Sequence, residues 1–86
     1  MTVRERDAVQ LVAELLNRAL RRGLDDPASE ALGMAARQLT VWTRGRISAV
    51  DITLHVEELI AALVRVPRGA PVEAFELEHA KVREGR

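Results

Sequence analysis

Apolar residues recur at intervals of three and four along most of this chain, the spacing of one face of an α-helix. Turn residues cluster at Gly23 to Pro27, Gly45 to Ser48 and Pro67 to Pro71, and they divide the chain into four periodic segments. The pattern predicts helices over about 3–22, 27–44, 49–66 and 71–83. In the first, Thr2 and Glu5 have capping-box spacing, Arg18, Arg21 and Arg22 sit in the last turns, and Gly23 suits the C′ position. Asp26 before Pro27 predicts the start of the second, with Asp26 as N-cap and Pro27 at the first helical position. Ser48 with Asp51 opens the third, and Pro67 stops it. The β-branched run from Ile47 to Val56 also admits a short extended start there. The fourth begins at Pro71 or Val72 and carries a narrow apolar face of Val72, Phe75, His79 and Val82, with Leu77 pointing away.

The apolar faces differ in width. Ala8, Val9, Leu11, Val12, Leu15, Leu16, Ala19 and Leu20 cover about half of the first helix, wider than a usual stripe. The third is apolar almost all round, leaving a polar strip of Asp51, His55, Glu58 and Arg65. The second and fourth offer narrow stripes. This reads as an all-α, four-helix bundle-like domain with the third helix central, completed by dimerisation. Leu11, Leu15, Leu16 and Leu20 with Ile52, Val56, Ile60 and Leu63 are the expected interface residues.

Length sharpens that expectation. With 86 residues there is room for one domain, residues 1–86, which buries only about two thirds of its unfolded surface. Small domains commonly gain stability from disulfides, metals or self-association, and the absence of cysteine removes the first. Hydrophobic residues are 48% and charged residues 30%, a globular balance. Thirteen basic and thirteen acidic residues give a net charge of zero, which argues against a strongly basic nucleic-acid surface or attraction to a membrane. The charged start has no apolar leader-like run, and Leu59 to Val64 is too short to span a bilayer. A cytoplasmic location without membrane association is the expectation.

Residues 28–47, ASEALGMAARQLTVWTRGRI, allow a second reading. With Leu32-Gly33-Met34 as a turn and Arg44-Gly45-Arg46-Ile47 as a trailing stretch, the segment resembles the helix-turn-helix of excisionase-type and MerR-type DNA-binding domains. The resemblance covers about a quarter of the chain. It implies a DNA-binding regulator whose nucleic-acid contacts are Arg37, Gln38, Thr40, Arg44 and Arg46. Arg and Gln suit base edges and the trailing arginines suit phosphates.

Candidate chemistry is sparse. Glu76 and His79 have the Glu-x-x-His spacing used by di-iron bundles, with Glu57 and Glu58 as candidate carboxylates on the third helix, but His79 lies on the core face of the fourth helix and is better read as a boundary residue. Asp51 and His55 are an i, i+4 pair, read as a local hydrogen bond. Ser29 and Ser48 lie near helix starts, and no glycine-rich phosphate loop is present. The expectation is a non-enzymatic protein without cofactor or metal, acting through a homodimer and protein partners, with nucleic acid as the alternative.

Overall fold

The computed structural model describes residues 2–85. They form four α-helices: α1 (Val3–Arg22), α2 (Asp26–Thr43), α3 (Ala49–Arg65) and α4 (Val72–Glu84). Local side chains set most of the ends. At α1, Thr2 Oγ1 accepts from the Glu5 N–H at 3.1 Å while the Thr2 N–H donates to Glu5 Oε2 at 2.8 Å, the reciprocal capping box. Gly23 ends α1 at φ +87°, where a side chain would be strained. At α3, Ser48 Oγ accepts from the Asp51 N–H at 3.2 Å, and α-helix begins at Ala49 with no extended start.

Two sequence readings are corrected here. The N-cap of α2 is Asp25, not Asp26. Its carboxylate accepts from the Ala28 N–H at 2.9 Å, so Asp26 is already helical. The turn at Leu32-Gly33-Met34 is not formed. α2 runs unbroken through Gly33, which is absent from the positive-φ glycines Gly23, Gly45 and Gly69. A mid-helix glycine costs about 1 kcal/mol relative to alanine. Burial of Ala28, Ala31 and Ala35 along the same helix offsets that cost.

The helices sit at the corners of a rhombus. α3 touches the other three, α2 does likewise, and α1 and α4 do not touch each other. α3 makes the most extensive packing and is the central helix. α1 and α3 run parallel: Arg4 and Asp7 lie beside Val50 and Leu54, while Arg18 and Arg22 lie beside Leu63 and Val64. The shortest extent is 18 Å, no more than the depth of two helix layers. Two layers cannot enclose α3 on every side. Its inner face (Ile52, Val56, Leu59, Ala62, Leu63) is fully buried with Leu15, Ala19 and Phe75, while Val50, Leu54 and Val64 stay exposed.

One end of the bundle is tied by a polar clamp. Arg22, at the end of α1, donates from Nη1 to the carbonyls of Leu63 at 2.7 Å and Val66 at 3.1 Å, and from Nη2 to the Pro67 carbonyl at 3.2 Å. The Leu63 carbonyl also accepts from the Val66 N–H at 3.3 Å and the Pro67 carbonyl from the Ala70 N–H at 3.2 Å, so Arg22 adds a charged donor at the end of α3. Asp25 pairs with Arg22 at 3.1 Å and accepts from the Gly69 N–H at 3.0 Å, joining the two loops at this end. Arg22 is therefore not part of a solvated helix end, as its place among three arginines suggests. Among the described residues no helix is long and apolar enough to cross a membrane.

Candidate functional sites

Two regions depart from the rule of apolar inside and polar outside. The first is the outer surface of α1. Val9, Ala13, Leu16 and Leu20 follow a four-three-four spacing along the helix and are all exposed, with Leu16 at 43% and Leu20 at 57%. Leu24 continues the stripe beyond the helix end. Val9 borders an open groove shared with Leu39 and Trp42 of α2, which widens the apolar surface.

The expected interface residues divide against this background. Leu15, Ile52, Val56 and Leu63 are enclosed by the chain's own helices and have no surface for another molecule. Leu11 and Ile60 are half-buried, and Leu16 and Leu20 face outward. The half-circle on α1 thus serves two ends: one edge fills the core and the other remains uncovered.

The second region is a polar cluster between α3 and α4. His55 and Glu58, one turn apart on α3, face His79 on α4, and one ligating atom from each lies within 4.8 Å of the others. His79 is only 6% exposed. Its Nε2 is 3.8 Å from Glu58 Oε2, too far for a hydrogen bond, and the Nε2 atoms of His55 and His79 are both buried without a hydrogen-bond partner. The two imidazoles meet edge to face at 5.9 Å, and His79 stacks on Phe75 at 5.8 Å. Burial lowers the pKa of both histidines, with the neighbouring Arg83 adding to the effect and Glu58 opposing it; His79 also depresses His55. Arg83 Nε stands 3.8 Å from Glu58 Oε2. Outside the cluster opens a cleft of about 350 Å³ lined by Gln38, Asp51, Leu54, His55, Glu58 and Arg83.

The partners of His79 differ from those its sequence spacing suggests. Glu76, the glutamate of the Glu-x-x-His pair, is exposed and outside the cluster, whereas Glu58 from α3 is within it. The informative spacing is His55-x-x-Glu58, which puts an imidazole and a carboxylate on one face of α3. Asp51 does not bond His55; its Oδ2 accepts from the Ser48 hydroxyl at 2.9 Å.

The five residues tied to the helix-turn-helix resemblance lie along α2 and in the loop after it. Arg37 is exposed and lies 3.9 Å from Glu30, and Thr40 donates its hydroxyl to the Ala36 carbonyl at 2.9 Å. Gln38 turns toward the α3–α4 cleft, while Arg44 and Arg46 are exposed in the loop after α2. No protein-family model matches the chain, and no curated protein or solved structure matches it either.

Proposed function

We propose that this chain is a non-catalytic helical protein that acts by self-association, a second copy packing against the outer stripe of α1. The observation that carries this reading is the row Val9, Ala13, Leu16 and Leu20, exposed at the spacing by which one helix presents a seam to another. Exposed leucines scattered singly need no explanation, but a continuous row bordered by a further apolar groove does. Zero net charge imposes no overall repulsion between two copies. A two-fold axis through the stripe sets each copy's leucines against the other's, so one surface completes both subunits.

The open face of α3 is the weaker alternative for the same contact. Val50, Leu54, Ala61 and Val64 form a comparable row, but Glu57 lies in its middle. Covering that row encloses a charged side chain at its centre, which the all-apolar α1 row does not.

Light scattering coupled to size exclusion tests the reading. The wild-type chain is expected at twice its 9.5 kDa mass, and a Leu16→Glu, Leu20→Lys variant at the single-chain mass with helical circular dichroism retained. Both positions are exposed, so the fold has little reason to suffer. Val64→Glu, on the α3 face, leaves the dimer intact. A wild-type chain that stays monomeric at about 100 μM, or a stripe variant that stays dimeric, overturns the proposal; dissociation by Val64→Glu moves the interface to α3.

A further inference from the structure

The geometry points to a divalent transition-metal site, of the class that takes zinc, formed by His55 and Glu58 of α3 and His79 of α4. Two imidazoles and one carboxylate make a borderline-soft nitrogen and oxygen donor set, which favours zinc and its neighbours over magnesium or calcium. The three donor atoms lie within 4.8 Å of one another. Tetrahedral ligands around zinc stand roughly 3.3 Å apart, so the three donors need to approach by about 1.5 Å at most.

A second observation points the same way. His79 is nine-tenths buried, and its Nε2, 3.8 Å from Glu58, has no hydrogen-bond partner among the described residues; nor has the buried Nε2 of the half-buried His55. Buried polar atoms are nearly always satisfied, and an unsatisfied ring nitrogen beside a carboxylate is what a metal ligand looks like before the metal binds. Metal sites in helical bundles are built in this way, from side chains on facing helices.

The surrounding charges set the terms of binding. Asp51 and Gln38 line the cleft beside the three donors, and Asp51 adds a favourable negative charge. Arg83 is the opposing group: it stands against Glu58 where a cation would bind. Its side chain is 67% exposed, so it can swing into solvent when the metal enters. The cleft gives water access to His55 and Glu58.

The site does not depend on self-association, because none of its three residues belongs to the α1 stripe. The test is a competition titration of the full chain with zinc chloride against a chromophoric chelator, together with the visible absorption of the cobalt(II) form. One zinc per chain is expected. His55→Gln and Glu58→Gln, both partly solvent-exposed and close in shape to the originals, each weaken zinc at least about tenfold and change the cobalt spectrum. Arg83→Ala tightens zinc by removing the competing cation. Circular dichroism of both glutamine variants guards against simple unfolding, and the Leu16→Glu, Leu20→Lys variant retains the metal. A wild-type chain that takes no zinc from the chelator, or glutamine variants that hold it as tightly as wild type, overturns the assignment.

Discussion

The outer stripe of α1 and the cluster between α3 and α4 invert the same rule in opposite directions. Leu16 and Leu20 are apolar and exposed, whereas His55 and His79 are polar with ring nitrogens buried. Both departures have a physical cost: exposed leucines lose the burial that stabilises a small domain, and unsatisfied ring nitrogens lose hydration. What removes each cost differs. Apolar surface is satisfied by another apolar surface, which takes a macromolecule. Two imidazoles beside a carboxylate are satisfied by something small and positive. The comparison therefore separates a site for a second copy from a site for an ion, formed by different residues.

The sharpest way to break the comparison is to contrast neighbouring leucines. Leu15→Ala is expected to cost about 2–5 kcal/mol in urea denaturation, since Leu15 is fully buried. Leu16→Ala changes the stability of the isolated chain by no more than about 0.5 kcal/mol. Equal effects mean that the core is drawn on the wrong edge of α1. Next comes the clamp. Arg22→Met leaves the end carbonyls of α3 and the Asp25 carboxylate without their cation, at about 1.5–3 kcal/mol. The Asp25 carboxyl is held below its ordinary value, first by the Gly69 N–H and further by Ala28 and Arg22. Its contribution is present above about pH 4 and is lost as the pH falls through the lowered value.

The polar cluster has its own pH signature. A histidine whose pKa is lowered on folding binds its proton less readily in the folded chain than in the unfolded one. Metal-free protein is thus expected to keep full stability above about pH 6.5 and to lose some as the pH falls below it. Denaturation at pH 7.5 and 5.5 measures this, and His55→Gln reduces the difference. A slope unchanged by that substitution places the titrating group elsewhere. One substitution is expected to give a small gain. Gly33→Ala stabilises by about 0.5–1 kcal/mol, because a Cβ there meets only Arg37 Nη1, at an ordinary 3.5 Å. A loss on the same substitution indicates a turn at Gly33, and with it the helix-turn-helix arrangement.

Helix limits were legible because capping is local. Thr2 with Glu5, Ser48 with Asp51, and Gly23 act within one turn of their own helices. The misplacement at α2 arose because two aspartates precede Pro27, and only the backbone geometry decides which of them caps. The division of α1 was not legible. Leu15 and Leu16 are alike in sequence, and their fates depend on where α2 and α3 dock. The cluster was half legible: His55 and Glu58 share a face of α3 by spacing alone. His79 reaches them only because α4 packs antiparallel against that helix. Arg22 was hidden among three arginines for the same reason, since the carbonyls it serves belong to a distant segment.

Native mass spectrometry of the chain with excess zinc tests both halves of the account in one spectrum. The expected species is a dimer carrying one zinc per chain. The Leu16→Glu, Leu20→Lys variant becomes a monomer that keeps its zinc, and His55→Gln remains a dimer that has lost it. A wild-type monomer without bound metal contradicts the account.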